Sequence, residues 1–184
     1  MQETMTLTFR RPITAGKGEN AKTYTELQLR EPLAGDYEQA EKSGGKYGFV
    51  VALVAIVSGV PIDVVDELFS SEIDEAEDFF SGFADEAVLM PDVRSPDEFS
   101  LELQAPVKLT DDATALNATK LDLCEPTNLQ RRKARQAGGP FASSIELISI
   151  VARVPRKTVR ALSARDFHSA TGYFNGFQIR RRPD

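Results

Sequence analysis

The chain carries one cysteine and one histidine in 184 residues, and each scarcity excludes chemistry. A single thiol, Cys124, rules out an internal disulfide and fits a reducing compartment. A single imidazole, His168, leaves few ways to build a zinc site or an imidazole-based catalytic group. Long apolar runs are missing too: the longest, residues 49–57, falls far short of the ~20 residues that span a bilayer. No basic-then-apolar leader stands at the N-terminus, so the expectation is a soluble, unexported protein. What is present, 41% hydrophobic and 27% charged residues, is the composition of an ordinary globular protein with a packed core.

The sequence repeats itself. An offset of 94 positions places Pro12 on Pro106, Glu31-Pro32 on Glu125-Pro126, Gly44-Gly45 on Gly138-Gly139, and Val60-Pro61 on Val154-Pro155. Of the 79 pairs between residues 5–83 and 99–177, 22 are identical, with no insertion. Unrelated sequences of common composition match at roughly a quarter of that rate. The matches fall on turn and apolar positions, which fix loops and cores, so the two halves are expected to share one fold. The expected organisation is a first module over 1–89, an extended Pro-containing linker over 90–97, and a second module over 98–184.

Within a module the periodicity changes from two to about 3.6. Thr6-Leu-Thr-Phe-Arg10 and Tyr24-Thr-Glu-Leu-Gln-Leu-Arg30 alternate apolar with polar, which predicts a β-hairpin with a long, flexible loop through Gly16 and Gly18. Glu31-Pro32 ends the second strand. A short polar helix follows from about Gly35 to Lys42, capped by Gly44-Gly45. Residues 47–58 are apolar nearly all round and predict a buried helix ending at Gly59. Pro61 opens a helix over 62–69, and a last helix from about Ser71 brings Ile73, Ala76, Phe80 and Phe83 onto one face. In copy two, Ser163 with Asp166 marks the equivalent helix start. The fold class is α+β, two tandem ββαααα modules.

Charge separates the copies. Residues 1–94 hold eight Lys/Arg and 18 Asp/Glu, a net of −10; residues 95–184 hold 14 and 10, a net of +4. Asp36, Glu38 and Glu41 in the first polar helix have Arg131, Arg132, Lys133 and Arg135 as their counterparts in the second. Complementary faces would support self-association, within a chain or head to tail; two solvated faces are the plainer reading. The basic helix and Arg180, Arg181 and Arg182 could meet nucleic acid, but no aromatics are interleaved among them and the whole chain is acidic.

Gly16-Lys17-Gly18 and Gly44-Gly45-Lys46 lack the spacing of a phosphate-binding loop and read as turns. The acidic run 72–78 lacks the glycine of a calcium loop and reads as a solvated helix face. His168 aligns with Asp74, which implies an exposed, non-catalytic position; Cys124 aligns with Arg30 and reads as peripheral. No catalytic constellation recurs in both copies, so no enzyme, cofactor or metal is expected. The helix ends Phe79, Phe80, Phe83 and Tyr173, Phe174, Phe177 carry more aromatic surface than a helix stripe requires. They are core residues or, in part, a partner-binding surface.

Three segments carry a family resemblance: Thr6-Leu-Thr-Phe-Arg-Arg-Pro-Ile13, Tyr24-Thr-Glu-Leu-Gln-Leu-Arg-Glu-Pro-Leu-Ala-Gly-Asp36, and Ser58-Gly-Val-Pro-Ile-Asp-Val-Val65 with the closing Phe79-Phe80. Together they resemble the small tail assembly chaperones of Mu-like contractile-tailed phages and prophages. Copy two keeps Leu121-Asp-Leu-Cys-Glu-Pro126 and Arg153-Val-Pro155 but not the Ala-Gly-Asp. The resemblance implies a non-catalytic protein of the host cytoplasm, without cofactor or membrane, that coats the tape-measure protein until tail tube subunits polymerise around it. It transfers no catalytic or ligand residues. The alternatives are a structural tail or baseplate component retained in the virion, and a nucleic-acid-binding regulator using the basic second module.

Overall fold

The computed structural model describes residues 3–87, 94–109 and 117–178. Contacts divide the chain into two units, Met1–Pro32 with Asp36–Asp85, and Leu33–Gly35 with Glu86–Asp184. The first half of the chain runs β1 (Thr4–Ala15), β2 (Lys22–Arg30), α1 (Ala34–Ser43), α2 (Phe49–Ser58), α3 (Ile62–Val65) and α4 (Ser70–Asp85). The second runs β3 (Glu98–Lys108), β4 (Asn117–Cys124), α5 (Asn128–Arg135), α6 (Pro140–Ala152), α7 (Arg156–Arg160) and α8 (Ala164–Asn175). A closing 3₁₀ turn, Gly176–Gln178, follows α8. A β-hairpin followed by four helices is thus built twice.

Each hairpin is an antiparallel two-stranded sheet that buries one face. Leu7 pairs with Leu27 and Leu101 with Leu121, and all four are buried, whereas their strand neighbours Thr6, Thr8, Glu26 and Gln28 are exposed. Two strands alone are marginal in water, so the buried face needs a helix. In the first unit α2 lies against β2, and in the second α6 lies against β4. Ala52, Leu53, Val54 and Val57 of α2, and Ala142, Ile145, Ile148 and Val151 of α6, supply the matching surface. Each such larger side chain contributes about 1.5–3 kcal/mol when fully buried.

The register breaks at the same place in both hairpins, between Thr8 and Ile13 in β1 and between Glu102 and Val107 in β3. Pro12 and Pro106 sit inside these irregularities, where a residue without an amide donor costs no ladder bond. The displaced strand leaves a backbone amide to be satisfied, and a carboxylate from the first turn of the last helix takes it. Glu72 accepts from the Arg10 amide at 2.8 Å and from the Phe69 amide at 2.7 Å. Asp166 accepts from the Gln104 amide at 3.2 and 3.1 Å, and its own amide donates to the Ser163 hydroxyl at 3.1 Å. Both carboxylates are buried, 4% and 3% exposed. Each latches a bulged strand to a helix N-terminus, where negative charge is favoured. The expectation of a solvated face over 72–78 therefore fails at Glu72, although Asp74, Glu75, Glu77 and Asp78 are exposed.

Other departures from expectation are local. The third helix ends at Val65, not 69: the Glu67 and Leu68 amides turn back to Val64 and Val65 in tight 3₁₀ fashion, which brings Leu68 into the core. The hairpin loop contains a 3₁₀ turn over Gly18–Asn20. α4 extends to Asp85. α2 and α6 both end on a left-handed residue, Gly59 with φ 71° and, at the equivalent position, Arg153 with φ 57°. Of the expected linker, residues 90–93 lie outside the described residues.

Candidate interaction surfaces

The aromatic ends of α4 and α8 are built into the interior. Phe79, Phe80 and Phe83 are 8%, 5% and 0% exposed, with the Phe79 and Phe83 rings edge to face at 5.1 Å. Tyr173 and Phe174 are also buried, and Phe177 is half-buried. The Tyr173 hydroxyl donates to the carbonyls of Pro96 at 2.8 Å and Asp97 at 3.1 Å, and the Ser95 hydroxyl donates to the Tyr173 carbonyl at 2.7 Å. Burial, then the neighbouring Cys124 and acidic residues, push the phenol up to about 12, so it stays a donor at neutral pH. Gly176 suits this clasp, because a Cβ there would displace the Ser95 hydroxyl from its bond to the Tyr173 carbonyl. Phe177 is the accessible member, its ring edge-on to Tyr173 at 5.2 Å with the Arg94 guanidinium 5.9 Å above it.

The basic residues of α5 divide by role. Thr127 and Gln130 form a reciprocal capping box at its N-terminus. Arg131 is half-buried and donates to the Phe174 carbonyl at 3.0 Å, near the C-terminal end of α8 where a cation is favoured. Burial, with the Arg135 charge one turn away, lowers its pKa. Arg132, Lys133 and Arg135 are exposed, and none has an ion pair among the described residues. Arg131 and Arg135 line an open cleft of about 170 Å³ between α5, α6 and α8, with Ser143, Ser144 and Thr171 around them. This cleft can hold a carboxylate or another anion. Arg180, Arg181 and Arg182 lie outside the described residues.

The acidic counterparts in α1 are already engaged: Asp36 pairs with Arg30 at 2.8 Å and Glu38 with Lys42 at 2.6 Å. A run of unpaired acidity lies on α4, where Asp74, Glu75, Glu77 and Asp78 are exposed without an ion pair among the described residues. His168 is half-buried, not exposed as its alignment with Asp74 implied; its ring meets the Phe167 ring edge at 5.7 Å, and burial lowers its pKa. Cys124 is exposed. Sequence reasoning missed the two most exposed large apolar side chains among the described residues, Phe69 at 45% and Leu129 at 51%. Arg10 and Arg11 both stand 5.6 Å from the Phe69 ring, whereas Leu129 sits in the first turn of α5, beside the basic residues. Phe69 shares the apolar spacing of the helix expected over 62–69 and Leu129 stands alone in a polar helix, so neither position announced an exposed apolar side chain.

Among the described residues no cluster of three His, Cys, Asp or Glu is placed to hold a metal. No helix among them is long and apolar enough to cross a membrane. No curated protein and no solved structure matches the chain. One family model does match, over residues 4–85: phage tail assembly chaperone proteins, E, or 41 or 14. Those residues run from the first strand to the end of α4, the complete ββαααα pattern. The match supports the kinship of this first module with a phage tail assembly chaperone family, which is not a catalytic class.

Proposed function

We propose that this chain is a non-catalytic tail assembly chaperone of a Mu-like phage or prophage. It binds the tape-measure protein in the host cytoplasm and keeps it soluble until the tail tube protein assembles around it. The observation that carries this reading is the family match over residues 4–85, on a module whose fold recurs in the second half of the chain. An internal duplication accounts for that recurrence, including the shared register break and carboxylate latch.

Two similar modules on one chain suit a long, repetitive helical partner. Once one module is bound, the second meets its site at raised effective concentration. Half-exposed Phe177 supplies the contact in the second module, backed by buried Tyr173 and Phe174, while Phe79, Phe80 and Phe83 hold the equivalent helix end of the first module in its own core. Quantitative mass spectrometry of infected or induced cells tests the fate that defines a chaperone. The chain is expected in soluble complexes with the tape measure and absent from purified particles; a fixed copy number in the particle would make it a structural tail component.

A further inference from the structure

We propose that copies of this chain associate head to tail, the acidic face of α4 of one copy docking on the basic face of α5 of the next. The two faces are each left unneutralised. Asp74, Glu75, Glu77 and Asp78 fall on two successive turns of α4, a helix with no basic residue. Arg132, Lys133 and Arg135 are likewise exposed and without an ion pair among the described residues. Asp36 and Glu38 of α1, by contrast, pair with Arg30 and Lys42, so they are not the open complement of α5.

The α5 face is more than a run of charge. Arg131 is fixed by its bond to the Phe174 carbonyl, and Arg135 stands one turn further on at the same cleft. A carboxylate entering there meets both guanidiniums and the hydroxyls of Ser143, Ser144 and Thr171. Spacing agrees as well: Asp74 and Asp78 are separated by one helical turn, as are Arg131 and Arg135, so carboxylates and guanidiniums recur at the same interval. Leu129, exposed on the first turn of α5, adds apolar contact beside the charges.

The repeat makes the association directional. At the positions of Asp74, Glu75, Glu77 and Asp78 the second copy has His168, Ser169, Thr171 and Gly172; at those of Arg131, Arg132, Lys133 and Arg135 the first copy has Tyr37, Glu38, Gln39 and Glu41. Each face therefore occurs once per chain. Two unlike faces on one molecule give a heterologous contact, which extends into a row or closes into a ring. This self-association needs no tape-measure protein.

Sedimentation velocity on the purified full-length chain, from low micromolar to near-millimolar concentration, is the test. The wild-type chain is expected to associate with rising concentration and to weaken at least about tenfold when salt screens the contact. Arg132→Glu/Arg135→Glu and Asp74→Lys/Asp78→Lys each place like charges across the contact, and each is expected to weaken association at least about tenfold. Mixing the two variants makes every contact complementary again and restores association, which neither misfolding nor a loss of general solubility would do. A wild-type chain that stays monomeric throughout overturns the proposal, as does a mixture that stays dissociated. Monomers that take up a short DNA duplex through Arg132 and Arg135 overturn it in favour of a polyanion ligand.

Discussion

Replacing Glu72 with alanine removes the acceptor for two backbone amides at once, those of Arg10 and Phe69. Hydrogen bonds to a charged partner contribute about 1.5–3 kcal/mol each. Both amides lie close enough to solvent to regain part of that from water, so the expected loss is about 3 kcal/mol and not the full sum. That is a large fraction of the stability of a small domain. Glu72→Gln keeps one carbonyl acceptor but loses the charge and the second oxygen, and should cost about half as much. Urea unfolding reads the totals, and amide hydrogen exchange reads the cause: the Arg10 and Phe69 protons both lose protection in Glu72→Ala, and one of the two in Glu72→Gln. A loss under about 0.5 kcal/mol, the scale of an ordinary surface change, would refute the latch.

The left-handed helix ends give a reciprocal pair. Arg153→Gly relieves a side chain held at φ 57°, and should stabilise by about 0.5–1 kcal/mol, whereas Gly59→Ala should cost about 1 kcal/mol by urea midpoint. Gly176→Ala drives a methyl group into the Ser95 hydroxyl and should cost about 1–2 kcal/mol, with loss of amide protection around Ser95. His168 titrates below its ordinary 6.5 because burial disfavours its charged form, so the unfolded chain takes up the proton first as pH falls. Its contribution is complete above about pH 6.5 and declines below it; His168→Gln should remove that part of the acid destabilisation measured by thermal melts across pH 5–7.

The repeat, the strand alternation and the helix order were legible because each is a periodicity, and a periodicity survives in sequence when packing repeats it. Pro12 and Pro106 stand at equivalent positions, but only the paired strands reveal that they occupy a register break. Glu72 was obscured by its neighbours: in a run of acids, nothing local distinguishes the carboxylate that folds inward from the four that remain in water. Its counterpart Asp166 was easier, since Ser163 three residues earlier signals a helix start. Arg153 was hidden by the opposite effect, an arginine standing where the backbone favours glycine. The aromatic helix ends looked like surplus surface because spacing cannot show what lies over a helix. Ser95, Pro96 and Asp97, from the stretch read as linker, bond to Tyr173 there.

The chaperone role rests on tape-measure binding, which co-expression with the tape-measure protein encoded nearby would reveal. The tape measure is expected to be insoluble alone, to become soluble with this chain, and to co-purify with it. A tape measure that stays insoluble with no chain bound, while both proteins are well expressed, would contradict it.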